Sequence, residues 1–225
     1  MITVLTGLTD EAAILRDTPG VNVLCGSKAR DNLRKLLPAK TTALVSFGVC
    51  GALSPKLKVA DLVFGTFVTD GSAARHKADQ DWFETMAGRL TFPHHGAPVY
   101  STGAEGADTP EERRRLYSES RVWTIDDESF AVAQVATTLG LPFAIVRSVS
   151  DDCHETVPSA TKNATNPDGT SNIDAVLEAL RKDPSQVFNL VQISFGFEQA
   201  LGTLRGAWRT LRPGPRSKSP FLFGV

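Results

Sequence analysis

The chain has 225 residues, 41% of them hydrophobic and 22% charged, the balance of a globular protein with one substantial core and too little length for two. A formal net charge of −1 argues against a protein that coats nucleic acid, and no stretch approaches the ~20 apolar residues of a spanning helix. Cys25, Cys50 and Cys153 are odd in number and spaced like neither a zinc site nor a disulfide framework, and no secretory signal is read at the N-terminus; a reducing cytoplasm is expected.

In chain order, Ile2–Thr6 is a short β-branched strand that stops at Gly7 and leads into a helical pattern over Asp10–Arg16. Val21–Cys25 is a second strand, followed from Gly26 by a helix to Leu37. Thr42–Phe47 is a third, ending at Gly48-Val49-Cys50-Gly51, and Leu62–Val68 a fourth. Pro98–Ser101 and Val122–Ile125 are weaker strands. His94-His95 read as exposed loop histidines without a metal-ligand partner. Phe130–Gly140 reads as an amphipathic helix, and Phe143–Val149 is the strongest strand. Thr161–Ser171 is a polar, turn-rich surface loop expected to be mobile. Ile173–Leu180 and Ser185–Leu211 are helices separated at Asp183-Pro184. Strands alternating with helices predict an α/β single domain: a central, mostly parallel or mixed sheet flanked by helices. Ligands bind such sheets beyond the carboxyl ends of the strands, where Gly7, Gly48 and Asp151 all fall.

Two acidic segments, Thr124–Ser129 and Val146–Asp152, carry most of the chemical signal. A carboxylate beside the 130–140 helix can grip hydroxyls, and one at the end of the 143–149 strand can exchange a proton. Spacing alone leaves a second reading open: Asp126 or Asp127 caps one helix, and Ser150 or Asp151 caps the next.

Gly7-Leu8-Thr9-Asp10-Glu11, Ser46-Phe47-Gly48-Val49-Cys50-Gly51-Ala52-Leu53, Asp126-Asp127-Glu128-Ser129 and Arg147-Ser148-Val149-Ser150-Asp151 stand in the order found in the nucleoside phosphorylase/nucleosidase superfamily. The chain resembles methylthioadenosine/adenosylhomocysteine nucleosidases and, more closely, hopanoid-associated phosphorylases, which share Leu141-Pro142-Phe143 and Pro167-Asp168-Gly169. The resemblance implies a catalytic domain over residues 1–212 and a basic, flexible tail over 213–225. It also implies cleavage of the N-glycosidic bond of an adenosyl compound, adenosylhopane among the candidates, in hopanoid biosynthesis. Asp151 matches the general acid toward the base, and burial at a strand end would let it hold a proton. Ser150 orients it. Glu128 matches the ribose ligand, and Glu11 the carboxylate that positions the attacking water.

Four positions depart from the family pattern. Asp127 stands where Met packs on the sugar, and Glu105 where an aromatic stacks on the base. Val49 and Ser46 replace the serine and arginine of phosphorylases, so with Glu11 present water is favoured over phosphate as nucleophile. Gly48 and Val49 are expected among the substrate-binding residues, with Asp127, Glu128, Ser150 and Glu105. No metal and no organic cofactor are implied; inorganic phosphate is the co-substrate if the enzyme is a phosphorylase. The departures also keep open a second hypothesis, a catalytically impaired nucleoside-binding module of the same fold.

From Gln199 to Val225 there is no acidic residue, while Arg205, Arg209, Arg212, Arg216 and Lys218 are basic. Two readings follow. The last helix packs on the sheet, or Trp208, the arginines and Phe221-Leu222-Phe223 touch a membrane surface. The expected setting is cytoplasmic, with a peripheral contact to the inner membrane on the second reading. By resemblance the chain forms a homodimer.

Overall fold

A computed structural model describes residues 1–102 and 107–212. Glu105 and the 213–225 tail lie outside the described residues, so the expectations placed on them are not addressed by the fold. The described residues form one eight-stranded mixed sheet with helices on both faces. Strands β1 (Ile2–Thr6), β2 (Val21–Cys25), β3 (Ala43–Ala52) and β8 (Phe143–Asp151) run parallel to their neighbours in this group. Strand β8 also pairs antiparallel with β4 (Leu62–Thr69). Strand β4 pairs with β6 (His94–Ser101), β6 with β7 (Thr124–Asp126), and β7 returns to β3. Strands β3, β8, β4, β6 and β7 therefore close a ring, and β1 and β2 extend from it. A two-residue strand β5 (His76–Lys77) borders β4.

Helices cover the sheet because its apolar residues leave both faces unsolvated. On one face Trp82 and Met86 of α4 (Gln80–Ala87), Leu15 of α1 (Thr9–Leu15) and Leu201, Leu204, Ala207, Trp208 and Leu211 of α8 (Val187–Leu211) pack against Val45, Phe47 and Val146. On the other face lie Ala29 of α2 (Ser27–Asp31), Leu33 of α3 (Leu33–Leu36) and Val132, Ala133 and Ala136 of α6 (Ser129–Leu139). Helix α5 (Pro110–Ser120) precedes β7, opened by a capping box between Thr109 and Glu112. Helix α7 (Ile173–Lys182) precedes α8.

Several expected boundaries move. The helix read from Gly26 to Leu37 is two short helices broken at Asn32, whose amide nitrogen donates to the Lys28 carbonyl. Strand β3 does not stop at Phe47. It runs through Gly48-Val49-Cys50-Gly51, because this stretch pairs with β8 on one side and β7 on the other. His94 and His95 belong to β6 rather than to a loop, and His95 Nε2 lies 3.5 Å from Asp61. The 161–171 segment is anchored rather than loose: Thr9 N–H donates to Gly169 O, and Lys28 N–H to Pro167 O. Trp208 is 7% exposed, stacks edge-on against Phe47 and donates its indole N–H to Thr18. It is a core residue, which removes it from any membrane-facing surface.

The close approach of α8 to β8 fixes the end of that strand. Gly196 sits so near that an added Cβ would lie 2.1 Å from the Ser150 carbonyl oxygen. At the same point the β3–β8 register shifts: Cys50 faces Val149 and Gly51 faces Asp151, leaving Ser150 as the extra residue of a bulge. A bulge re-aims the side chains that follow it. Here it turns Asp151 toward Gly51 and into the cavity described next.

Candidate active site

All nine residues of β8 are buried, and four of them, Arg147, Ser148, Ser150 and Asp151, are polar. Buried polar groups need partners, and those partners build the site. Arg147 lies at its centre. Its Nη2 donates to Ser46 Oγ at 2.6 Å, Glu128 Oε2 at 3.1 Å and Ser129 Oγ at 3.2 Å, and its Nη1 to the Val49 carbonyl. Its Nε lies 2.9 Å from Asp126 Oδ2, a charge contact whose angle is not that of a hydrogen bond. Burial works against the charge of Arg147, but Asp126, Glu128 and Glu11 outweigh it and hold the guanidinium above its ordinary value.

Glu11, in the first turn of α1, is 2% exposed. Its Oε2 accepts from Gly7 N–H and Leu8 N–H, and its Oε1 accepts from Val49 N–H at 2.7 Å. Glu11 is therefore a buried, fully partnered carboxylate and not a solvated residue of the first helix turn. Burial pushes its carboxyl up from the usual carboxylate range, and Arg147 and the three N–H donors pull it part of the way back. Gly48 makes the arrangement possible: a Cβ there would lie 2.4 Å from Glu11 Oε1 and 2.7 Å from Arg147 Nη1. Gly7 does the same for Glu128, whose Oε1 would lie 2.6 Å from its added Cβ.

Asp126 settles the capping question. Its Oδ1 accepts from Ser129 N–H at 3.0 Å and Glu128 N–H at 3.2 Å, capping α6, while Ser129 Oγ–H donates to Oδ2. Glu128 is thereby left to face Arg147. Burial first, then repulsion from Asp126, Glu11 and Asp127, raises the Glu128 carboxyl to about 8 against the pull of Arg147. A carboxyl raised on folding contributes stability that is fully present below its unfolded value near 4.5 and is lost as pH rises through about 8. The Glu128→Gln variant is therefore expected to melt higher than the parent at pH 9 and to lose that advantage by pH 5. Thermal unfolding curves that run parallel across this range would contradict the assignment.

Asp151 has a different environment. Arg113 of α5 donates from Nη2 to Asp151 Oδ2 in a close ion pair, and Ser150 Oγ–H lies 2.6 Å from Oδ1. Arg113 is itself fixed by the carbonyls of Ala107 (2.9 Å) and Asp152 (2.6 Å). Neither Ser150 nor Asp151 caps a helix. Arg147, Arg113, Asp126, Ser46 and Ser129 were not singled out as site residues from the sequence. A charged residue inside the apolar run Phe143–Val149 was the signal for Arg147.

Glu11, Glu128, Asp127, Asp151, Ser150, Val49 and Arg113 line one cavity of about 590 Å³. Gly48 lies behind Glu11 rather than on the cavity wall. Asp127 is open to solvent, with Arg30 Nη1 3.5 Å from its backbone carbonyl. Lys162, Thr165 and Asn166 of the anchored 161–171 segment complete the rim. Strand β3 sets the spacing: Val49 holds Glu11, and Gly51, two residues on, lies against Asp151. Two residues of extended chain span roughly 7 Å, so Glu11 and Asp151 meet the same strand about that far apart along its length. Among the described residues no group of three metal-ligating side chains occurs.

A closed α/β ring with acids at the strand ends around such a cavity is the frame of a glycoside-cleaving enzyme of the nucleoside class. Residues 3–182 match the model of the phosphorylase superfamily, and the chain belongs to that family. No curated protein matches it in sequence. Among solved structures it is similar to futalosine hydrolase of Helicobacter pylori (14% identity, 93% of this chain and 95% of that one, TM-score 0.67). The 5′-methylthioadenosine/S-adenosylhomocysteine nucleosidase of the same organism gives 14% identity over 92% and 95%, with a TM-score of 0.66. The Neisseria meningitidis nucleosidase in complex with methylthio-immucillin-A gives 15% over 92% and 95%, also at 0.66. At these identities the likeness is one of fold.

Proposed function

We propose that the chain cleaves the N-glycosidic bond of a purine nucleoside with water as nucleophile. Glu11 takes the proton of the attacking water, and its raised carboxyl makes it a stronger base than a solvated glutamate. Glu128 grips the ribose hydroxyls, and Asp151, set by Ser150, meets the base. Gly48 leaves room behind the sugar for Glu11 and Arg147. The chemistry uses no metal and no organic cofactor.

The observation that carries water over phosphate is the state of the cations. Arg147 faces Asp126 and Glu128, Arg113 pairs with Asp151, Lys162 with Asp108 at 2.9 Å, and Arg30 with Asp31 at 2.9 Å. A phosphate dianion would have to displace an acid from each of them, and an anion site gathers donors that face the ligand instead. The similarity in fold to nucleosidases and a futalosine hydrolase supports the same reaction class. The test is base release from 5′-methylthioadenosine and from 5′-deoxyadenosyl analogues, with and without phosphate. Release in phosphate-free buffer is expected. Release that requires phosphate overturns the hydrolytic reading, and tight nucleoside binding without turnover would favour the impaired binding module.

The finer reading is an adenosyl compound with a large apolar 5′ group, such as adenosylhopane, and it rests on the sequence resemblance. Helix α7 and the first turns of α8 present Ile173, Leu177, Val187, Phe188, Val191 and Phe195 to solvent, Phe188 at 75% exposure. This apolar surface, rather than Trp208, is where a homodimer partner or a membrane contact would be made. No helix of the described residues is long and apolar enough to cross a membrane.

A further inference from the structure

A second cavity, of about 300 Å³, is lined by Asp10, Ala13 and Ile14 of α1 and by Arg205, Trp208, Arg209 and Arg212 at the end of α8. Helix α1 lines both cavities: Glu11 faces the first and Asp10 the second. The three arginines stand at i, i+4 and i+7, so they share one face of α8. All three are exposed, and among the described residues none of their side chains has an ion pair or hydrogen bond. Asp10 is the one acid on the wall, and among the described residues no ion pair joins it to them. From Gln199 to Val225 there is no acidic residue to answer their charge. Arg209 and Arg212, at the C-terminal end of α8, gain from the helix dipole, but its reach ends within the last turn and Arg205 lies beyond it. Like charges four residues apart on a helix repel, so Arg205 and Arg209 cost α8 stability that a bound anion returns.

We propose that this cavity binds a small phosphate ester. The guanidinium groups of Arg205, Arg209 and Arg212 donate to the phosphate oxygens, and Ala13, Ile14 and Trp208 contact the organic part. A guanidinium is always charged, and its fork of N–H donors matches the spacing of phosphate oxygens. The size of the cavity is at the small end for ligand sites, and its mix of apolar wall and charged rim is of the usual kind. A bilayer surface fits less well. The aromatic beside the arginines, Trp208, is 7% exposed and held by Phe47 and Thr18, so it has little apolar surface to insert. The site uses no residue of the glycoside-cleaving cavity and goes beyond the nucleosidase reading.

The probe is phenyl phosphate, titrated into the full-length protein in buffer free of phosphate and sulfate and followed by calorimetry. One saturable site is expected. Arg209→Gln should weaken it roughly 10–10²-fold, the loss of one charge-assisted contact. Arg181→Gln, which removes an exposed arginine on α7, should leave it unchanged. Asp10→Asn should tighten binding, because it removes the one acid on the wall. The substituted positions are all exposed, and thermal unfolding confirms that each variant folds. Absence of saturable binding overturns the proposal, as does binding that survives Arg209→Gln. An equal loss in Arg209→Gln and Arg181→Gln marks diffuse charge and overturns it too. Sedimentation with phosphatidylglycerol vesicles, without a response to phenyl phosphate, assigns the stripe to a membrane surface and overturns it likewise. Base release is not part of the readout, so failure here leaves the nucleosidase reading standing, and failure of that reading leaves this site untouched.

Discussion

Replacing Arg147 by Met is expected to cost roughly 3–5 kcal/mol of stability, the usual consequence of removing one partner from a buried charge cluster. The shape is nearly conserved, so the loss is electrostatic. Asp126, Glu128 and Glu11 would face one another around an apolar side chain, and Ser46 and Ser129 would lose a donor. For a domain of this size the melting temperature should fall by more than about 6 °C. Because the remaining charges cause the loss, adding Glu128→Gln to Arg147→Met should return part of it, although each site is part of the same cluster. A melting temperature within about 2 °C of the parent would show that the cluster does not depend on its cation. Base release should vanish in the single variant, since Glu128 loses the group that orients it.

Glu11→Gln should lower kcat by roughly 10²–10⁴-fold, the range ascribed to a positioned general base. Binding of nucleoside should survive, because Glu128, Asp151 and the cavity walls are unchanged. The substitution is not silent for the fold. Glu11 accepts three backbone N–H groups with its two oxygens, and an amide has only one oxygen. At least one of the Gly7, Leu8 and Val49 N–H groups would then face the amide NH₂, a cost of about 1–3 kcal/mol. Folding should therefore be verified by thermal unfolding, and the comparison made on kcat for the folded fraction. A kcat within tenfold of the parent would remove Glu11 from the water-activating role. Burial also predicts where the acid side of the rate profile falls. Because the Glu11 carboxyl is raised, base catalysis should fade above the ordinary carboxylate range as pH is lowered, rather than near 4.

These two variants differ in what they ask of the fold, and Asp126 explains why. Its carboxylate caps α6 and faces Arg147 at once. The helix start and the charge cluster are therefore one construction, and disturbing the cluster also frays the helix that presents Glu128. Glu11, by contrast, is held by three backbone N–H groups, those of Gly7, Leu8 and Val49, and caps no helix that presents Glu128.

By itself the sequence determined the order of strands and helices, since β-branched runs ending in glycine and amphipathic segments are local properties of the chain. It also placed acids at the strand ends, and the order of Glu11, Glu128 and Asp151 was enough to place them in one family and to suggest that they share a cavity. Two things were beyond its reach. Arg113 stands in a run of three arginines on a polar helix, where nothing local separates it from Arg114 and Arg115, both solvent-facing. Only the docking of α5 beneath the end of β8 selects which of them is buried against Asp151. Trp208 likewise reads as a surface aromatic among arginines until α8 lies against Phe47. In both cases the tertiary structure decided, because a side chain's partner across the sheet is set by long-range packing, and periodicity along the chain reports only which residues share a face.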